Sequence, residues 1–191
     1  MVARNKTEQI RQHIIETTDD LLYHKGFNLM SFSDIAAAAD VPRGNIYYYF
    51  KTKDEVLTAV IEYRIEQMRA MLETWNEEIK TPLERLKRYT NIPVIELEDV
   101  TRYGCPMGSL NTELGKSQRT LQAVSRKQYD TFLTWLKKQF KELVPDGNTK
   151  HLAMHLLMLT QGLAVLAQSY QDKSLVRREI NYIETWLDSL V

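Results

Sequence analysis

The chain has 191 residues, which fits one helical body or a small domain joined to a larger one. Apolar residues make up 43% of it, enough for a packed core, and its 25 basic and 25 acidic residues give a formal net charge of zero. Such a chain has no overall attraction for nucleic acid, so any DNA binding must come from a local cluster of cations. Its single cysteine excludes an intrachain disulfide, and without a signal peptide the sequence predicts a cytoplasmic protein.

The first predicted helix runs from about Thr7 to His24. Ile10 and Ile14 recur at the spacing of one helical face, and Gly26 follows as a residue suited to a helix C-terminus. The apolar residues between Phe27 and Phe32 are predicted to form the core beneath the segment that follows.

The segment Ser33–Lys53 has the pattern of a helix, a tight turn and a second short helix. Ser33 and Asp34 precede an Ala-rich stretch as an N-terminal cap, and Asp40-Val41-Pro42 is a turn sequence. The aromatic run after Arg43 favours a strand by composition alone, but the turn before it and the helix start after it predict a helix. Two helices joined in this way form the helix-turn-helix unit, whose second helix enters the major groove of DNA.

Side chains suited to DNA cluster in the second of these helices. Between Arg43 and Lys53 the sequence has three cations and no acid. Arg43 and Asn45 are predicted to read base edges, while Gly44 lets the backbone approach the groove. The residues predicted to contact phosphates are tyrosines, lysines and capping serines: Tyr47, Tyr48, Tyr49, Lys51, Lys53, Ser31 and Ser33.

The same part of the chain resembles the N-terminal signature of TetR-family transcriptional repressors. The resemblance spans about residues 10–60 and rests on stretches that include Gly26-Phe27, Ser31–Ala36, Gly44–Tyr47 and Tyr49–Lys53. It implies an all-α fold with an N-terminal three-helix domain, which contains the helix-turn-helix, and a helical C-terminal domain. It further implies a homodimer, a palindromic double-stranded operator and a small-molecule inducer as partners.

Three positions depart from the family pattern. Asp40 stands where the family usually has Gly, and aspartate tolerates the left-handed backbone that this turn needs. Pro42 replaces the usual Ser and is compatible with a first helical turn. Tyr49 replaces the usual His, so the operator preference of the family cannot be transferred to this chain.

Capping boxes mark two later helices. Thr52-Lys53-Asp54-Glu55 opens a long helix predicted over residues 53–79, and Thr81-Pro82-Leu83-Glu84 opens another, which Pro93 must end or kink. The long helix suits a link between domains, so we expect a DNA-binding domain at 1–52 and a ligand-binding and dimerisation domain at 53–191. Further helices are predicted over about 106–114, 117–140, 149–170 and 175–190.

The most apolar stretch, Leu152–Ala167, is too short and too interrupted for a membrane span, so it predicts a buried helix and no membrane association. A helix that is apolar nearly all round needs cover on both faces, which a partner chain supplies. The resemblance implies the same, with a four-helix dimer interface built from the last two helices of each chain. The predicted interface residues are Leu156, Leu159, Leu163, Leu166, Ile180, Ile183 and Leu187.

The sequence contains none of the common catalytic motifs, G-x-S-x-G, the P-loop, H-E-x-x-H or C-x-x-C. His151 and His155 have the i, i+4 spacing of two metal ligands, but no acid lies within that helix to complete a site. We therefore expect no catalytic residue, no metal and no cofactor.

Two interpretations of Cys105 remain open. Free cysteines are usually small buried hydrophobes. Cys105, however, precedes Pro106 at a predicted helix start, where the helix dipole stabilises a thiolate, and Arg102 is close in sequence. The segment Gly104–Gly108 also resembles the Gly-Cys-x-x-Gly stretch of TetR-family members in which this cysteine senses electrophiles.

Helical repressors hold an inducer in a C-terminal core that is apolar with a few polar groups. The predicted ligand-binding or sensing residues are Tyr89, Tyr103, Cys105, Met107, Leu110, Phe132, Trp135, Met158 and Gln161. Apolar residues at helical spacing are more often plain core, so for each of them the alternative is packing within the chain.

Taken together, these patterns predict a repressor that a small molecule or an electrophile releases from its operator. One alternative is an enzyme that processes a small molecule in the C-terminal domain, and the missing catalytic constellation argues against it. The other is a helical protein-binding adaptor with a vestigial helix-turn-helix. The intact set of Arg43, Asn45 and Lys53 argues against that one.

Overall fold

Eleven α-helices make up the described part of the chain, residues 2–191, in a computed structural model that describes side chains from residue 6 onward. No β-strand occurs among residues 2–191, which confirms the predicted all-α class. The helices are α1 (Val2–Lys25), α2 (Phe32–Ala38), α3 (Arg43–Tyr49), α4 (Lys53–Glu78), α5 (Pro82–Thr90), α6 (Ile92–Ile95), α7 (Leu97–Tyr103), α8 (Pro106–Ser117), α9 (Arg119–Leu143), α10 (Thr149–Tyr170) and α11 (Lys173–Asp188).

Two compact units divide the chain, and each is built from separate segments. The first unit holds the N-terminal residues through Glu66 together with Ser109–Lys127, and the second holds Gln67–Gly108 with Gln128–Val191. Helices α4, α8 and α9 therefore contribute residues to both units. The predicted boundary at residue 53 divides the chain by function, into a DNA-binding part and a ligand-binding and dimerisation part. The two units divide it by packing, so the functional boundary stays a prediction.

An apolar core fills the first unit. Ile14 of α1, Ile35 of α2 and Ile46 of α3 are fully buried in it, and Val60 of α4 packs with them. Three leucines from α8 and α9 complete the same core: Leu110, Leu114 and Leu121. The helix-turn-helix thus rests partly on a segment that comes much later in the sequence.

The second unit has its own core, centred on α9, α10 and α11. Phe132 and Phe140 of α9 are buried there with Leu156 of α10 and Val176 of α11. Tyr89 of α5 packs its ring against Phe132, with ring centroids 5.1 Å apart in an edge-to-face arrangement.

The capping residues predicted for α4 and α5 have the expected hydrogen bonds. The hydroxyl oxygen of Thr81 accepts the N–H of Glu84 at 3.2 Å, and that of Thr52 accepts the N–H of Glu55 at 3.2 Å. In a capping box the Glu55 carboxylate would accept the N–H of the cap residue, Thr52. Here it accepts the N–H of Lys51, one residue earlier, at 2.7 Å.

Helix α10 is longer than the apolar stretch read from the sequence. Its 22 residues are long and apolar enough to cross a membrane by length and composition alone. The same composition suits the core helix of a soluble protein. Leu156, Leu163 and Ala167 of α10 are buried inside the second unit, as expected for such a helix.

Candidate nucleic-acid interface and effector site

The turn between α2 and α3 adopts the backbone that the sequence predicts. Asp40 has a φ of +51°, in the left-handed region that aspartate tolerates better than most residues. The N–H of Val41 returns to the carbonyl of Ala36 at 3.0 Å, which closes the end of α2. Pro42 is the N-cap of α3, one position before the first helical turn, with a φ of −56°.

Helix α3 buries one residue of its first turn and exposes the others. Ile46 is fully buried in the core of the first unit, while Arg43, Gly44 and Asn45 are all exposed. A Cβ at Gly44 would have no heavy atom within 4 Å, so the surface is open there. The predicted base-reading residues therefore lie on the outer face of α3.

The three consecutive tyrosines differ in exposure. Tyr48 is 68% exposed, Tyr47 is also exposed, and Tyr49 is half-buried against the core. The ring of Tyr47 packs edge-on against Phe32 of α2 at 4.8 Å. Its hydroxyl oxygen accepts a hydrogen bond from the Arg43 guanidinium at 3.3 Å. Tyr47 and Tyr48 are thus available to a phosphate, and Tyr49 is partly a packing residue.

The cap of α2 is Ser31, so the prediction of Ser33 as the cap was wrong. Asp34 is the third helical residue after Ser31, and the two side chains form a reciprocal capping box. Ser33 is directly next to Asp34 in the sequence, so it could not form this pair. The Ser31 hydroxyl oxygen accepts the Asp34 N–H at 3.3 Å, and the Asp34 carboxylate accepts the Ser31 N–H at 2.8 Å. Hydrogen bonds from Lys25 and then Ser31 lower the pKa of Asp34 to about 2, so this cap stays charged at neutral pH. Ser33 is exposed.

Both predicted phosphate-binding lysines have contacts inside the chain. The ammonium of Lys51 donates to the carbonyl of Tyr47 at 2.7 Å, at the C-terminal end of α3 where cations are favoured. The ammonium of Lys53 donates to the carbonyls of Phe27 and Met30 at 2.7 and 3.0 Å. An ammonium has three N–H donors, so Lys53 can also reach a phosphate with the third.

Replacing Lys53 by methionine is therefore expected to have two effects. The melting temperature should fall, because two carbonyls of the α1–α2 turn lose their donor. The salt dependence of DNA binding should become shallower by about one phosphate contact. Thermal melting and titrations at several salt concentrations measure both effects, with Lys116→Met as an exposed control. An unchanged salt slope would mean that Lys53 only holds the turn.

A polar pair lies in the core of the second unit. The hydroxyl groups of Tyr89 and Thr160 are 3.2 Å apart, and both residues are buried. Burial raises the pKa of Tyr89 well above its usual range, and it does the same for Tyr129. Both tyrosines are therefore neutral at physiological pH and act as hydrogen-bonding groups.

Cys105 belongs to a second polar group in this unit. The side-chain amide of Gln161 donates to the Cys105 sulfur at 3.5 Å, and the hydroxyl of Tyr129 donates to the Gln161 oxygen at 3.1 Å. A Cβ at Gly108 would lie only 2.8 Å from that oxygen, so glycine makes room for the group. The guanidinium of Arg102, a residue close to the thiol in sequence, lies over the ring of Tyr103 at 5.1 Å.

The structure separates the predicted effector residues into different environments. Phe132 and Trp135 are buried with Tyr89, while Tyr103 and Met107 are half-buried. Two predictions need correction. Leu110 is buried in the core of the first unit, because it lies on the part of α8 that packs there. Met158 is 64% exposed on α10 and does not face the core.

Tyr129 and Thr160 hydrogen-bond to the predicted residues Gln161 and Tyr89, and they were not singled out from the sequence. Tyr129 is one helical turn before Leu133 on α9, and Thr160 is next to Gln161 on α10. A polar residue within an apolar helical stretch is the signal that could have pointed to them.

The predicted dimer interface also needs correction. Five of its seven residues are buried within the chain's own second unit, and Leu163, for example, is only 5% exposed. The five are Leu156, Leu163, Ile180, Ile183 and Leu187; Leu159 is half-buried, and only Leu166 is exposed. The apolar side chains that α10 and α11 do expose are Met154, Met158, Val165, Leu166, Tyr170 and Tyr182.

The exposed residues on α10 form an apolar stripe along that helix. Met154 and Met158 are one turn apart, and Val165 follows two turns later. Gly162 lies between them, and a Cβ there would have no heavy atom within 4 Å. An apolar stripe with a glycine at its centre is suited to close approach by another helix.

His151 and His155 do not complete a metal site. Their rings are stacked at 6.1 Å, and His155 also packs against Trp186 of α11. Among the described residues, no group of three or more histidine, cysteine, aspartate or glutamate side chains is placed to hold a metal ion.

Comparison with known proteins places this arrangement among bacterial regulators. The family profile described as bacterial regulatory proteins, tetR family, matches residues 14–60, which include α2 and α3. Over nearly its whole length the chain is similar to an HTH-type transcriptional regulator from the lacX 3′ region of Lactococcus lactis subsp. lactis. The two are 27% identical over 188 residues, which cover 94% of this chain and 90% of that protein.

Two solved structures share the fold along both units. A TetR-family transcriptional regulator from Cytophaga hutchinsonii superposes with a TM-score of 0.84 at 21% identity, covering 96% of each chain. The reduced form of NemR from Escherichia coli superposes with a TM-score of 0.82 at 18% identity, covering 93% of this chain and 96% of NemR. In sequence, the HTH-type transcriptional repressor NemR of strain K12 is 35% identical over 52 residues, covering 27% of this chain and 26% of NemR.

Proposed function

This chain belongs to the tetR family of bacterial regulatory proteins, and on that premise we propose that it is a repressor that binds a palindromic operator as a homodimer. It is a DNA-binding regulator and not an enzyme, as its relatives are transcriptional regulators. The repressor mode is supported by its similarity to the repressor NemR. As a regulator of bacterial genes it would act in the cytoplasm.

The exposed outer face of α3 is the main support for DNA binding by this chain. Arg43, Gly44 and Asn45 are exposed in succession at the N-terminal end of a helix held by the buried Ile46. In helix-turn-helix proteins the N-terminal residues of the second helix contact base edges. Arginine binds guanine bidentately and asparagine binds adenine, so this pair can read sequence. The same exposed pair argues against a vestigial helix-turn-helix in an adaptor.

A second copy of the chain is the proposed occupant of the apolar stripe on α10. An operator with two half-sites needs two reading helices roughly one helical turn of DNA or more apart, which a symmetric dimer supplies. The exposed stripe from Met154 to Tyr170 offers an apolar face on the helix that the family resemblance assigns to dimerisation.

Selection of bound DNA from a random library tests the DNA-binding function. The full-length protein should enrich a palindrome whose half-sites are separated by roughly one helical turn or more. A selection that yields no enriched sequence would contradict the proposed function. Repeating it with a mild oxidant or electrophile shows whether the thiol controls binding.

For the signal, we propose that Cys105 senses an electrophile or oxidant. Together with Gln161 and Tyr129 it forms the Cys105 group of the second unit. The residue Cys105 is half-buried and is a free thiol, which is compatible with modification by a small reagent. Because the chain has a single cysteine, the response must use an adduct, a sulfenic acid or a disulfide with another chain. A non-covalent inducer that contacts Tyr89 and the Cys105 group is the alternative.

Cys105→Ser is expected to keep operator affinity and to lose the response to a mild electrophile. The serine hydroxyl is not alkylated under conditions that modify a thiol. Treatment should weaken operator binding of the wild type about tenfold, within the range of allosteric coupling energies, and leave the variant unchanged. An operator-binding titration with and without the reagent measures this. Equal behaviour of the two proteins would assign Cys105 to packing and favour the non-covalent inducer.

A further inference from the structure

The turn between α1 and α2 is held by a carboxylate from much later in the chain. Glu113 of α8 accepts the backbone N–H of Phe27 through Oε2 at 3.0 Å and that of Asn28 through Oε1 at 2.7 Å. Hydrogen bonds from backbone N–H groups to a carboxylate are charge-assisted and stronger than neutral ones. All three residues lie in the first unit.

The carbonyl groups of the same turn are held from α4. The Lys53 ammonium donates to the carbonyls of Phe27 and Met30, and it lies 4.3 Å from the centre of the Phe27 ring. The N–H and the carbonyl of Phe27 are therefore bound by groups of opposite charge. Hydrogen bonds to both sides of one residue reinforce each other by polarisation.

The backbone at Gly26 is shaped for this contact. Its φ is +80°, a conformation that favours glycine, and a Cβ there would lie 3.2 Å from Oε2 of Glu113. The side-chain amide of Gln118 adds a hydrogen bond to the Asn28 side-chain oxygen at 3.1 Å. A side chain larger than glycine would thus crowd the carboxylate.

The helix that carries Glu113 is fixed in the core of the first unit. Leu110 and Leu114 are buried there, one on each side of Glu113 in the sequence. Because both leucines are anchored, the Glu113 carboxylate has a defined position relative to the turn.

We propose that Glu113 is a positioning residue for DNA binding, which sets the orientation of the helix-turn-helix by holding the α1–α2 turn. Phe27 and Asn28 lie three to four residues before the Ser31 cap of α2, and α2 packs directly on α3. A change in the turn therefore changes the direction in which α3 presents Arg43. This inference rests on the proposed function, because it assumes that α3 reads an operator.

The test compares Glu113→Ala and Glu113→Gln with the control Glu66→Gln. Glu66 is an exposed carboxylate of α4 in the same unit, so the control removes the same charge without touching the turn. The full-length proteins are titrated with operator DNA selected by the wild type and with random DNA of equal length. Glu113→Ala should weaken operator binding about tenfold and random DNA much less, with a smaller loss for Glu113→Gln. The control should change both affinities less than about twofold.

The ratio of operator affinity to random-DNA affinity is the deciding quantity. If Glu113 only stabilises the fold, its variants reduce the folded fraction and lower both affinities alike. An unchanged ratio in both Glu113 variants would therefore overturn the inference. If the wild type selects no operator, the proposed function fails instead, so the two failures are distinguishable.

Amide exchange in the wild type tests the contact without any variant, in case both substitutions prevent folding. The N–H groups of Phe27 and Asn28 should exchange slowly, and the Leu29 amide of the same turn serves as the comparison. Slow exchange supports the hydrogen bonds to Glu113. Exchange of Asn28 at the rate of an open chain would overturn the inference.

Discussion

Met158→Glu is expected to turn the protein into a folded monomer that binds operator DNA weakly. Met158 is 64% exposed in the single chain, so a glutamate there remains in water and leaves the subunit stable. In a two-fold symmetric dimer the same substitution places two carboxylates, one from each copy, in an apolar seam. Burying an unpaired charge costs several kcal/mol, which is enough to separate a dimer held by this face.

Light scattering and circular dichroism together measure this result. The variant should have the mass of one chain and the helical content of the wild type. Ile95→Glu is the matched control, because Ile95 is similarly exposed in the second unit but lies on α6 and not on α10. A Met158→Glu protein that stays dimeric would place the interface elsewhere.

Leu163→Glu distinguishes the stripe from the interior of the subunit. Leu163 is buried in the core of the second unit, so glutamate there should lower the stability of the subunit itself. The helical signal should then be lost at a lower temperature, in contrast to Met158→Glu. The two substitutions lie on one helix and differ in the face that they change.

The comparison between these two positions also shows what the sequence could not predict about α10. The helix is apolar nearly all round, so helical periodicity does not tell which face meets the chain's own core. Leucines such as Leu156 and Leu163 are the natural choice for an interface by residue type. In the structure these two leucines fill the subunit core, and the outer face carries methionine, valine, glycine, tyrosine and the single leucine Leu166.

Features set by a few neighbouring residues were predicted more successfully. The left-handed Asp40, the cap by Thr81 and the ends of α10 depend on contacts within about four residues, and the structure confirms them. The cap of α2 was wrong because two serines precede the helix, and only the spacing from Ser31 to Asp34 allows a reciprocal pair.

Features that depend on distant parts of the chain were beyond the sequence. The contact of Glu113 with Phe27 joins residues 86 positions apart in the sequence. Leu110 likewise packs in a core that also holds residues of the N-terminal helices α1 to α4. The polar contacts of Gln161 with Tyr129 and Cys105 join α9, α10 and the residue just before α8. No local pattern specifies which side chains will meet across such separations.

Arg43→Ala is expected to weaken operator binding by about 1–3 kcal/mol, the usual effect of losing a bidentate contact to a base. Arg43 is exposed at the first position of α3, where its guanidinium rests on Tyr47 with 5.7 Å to the ring centre. This contact is weak and close to the surface, so arginine can leave it for a guanine at little cost. Removing the side chain also leaves the core unchanged, because Ile46 holds the helix.

Arg43→Lys separates charge from geometry. Lysine keeps the positive charge and should restore binding to random DNA, but it lacks the planar pair of donors that matches guanine. We therefore expect both variants to lose sequence preference, and only Arg43→Ala to lose affinity for random DNA. Titrations of each protein with operator and random DNA at one salt concentration measure these values. Equal losses on the two DNAs for both variants would mean that Arg43 binds the phosphate backbone, and that Asn45 or a tyrosine of α3 reads the bases.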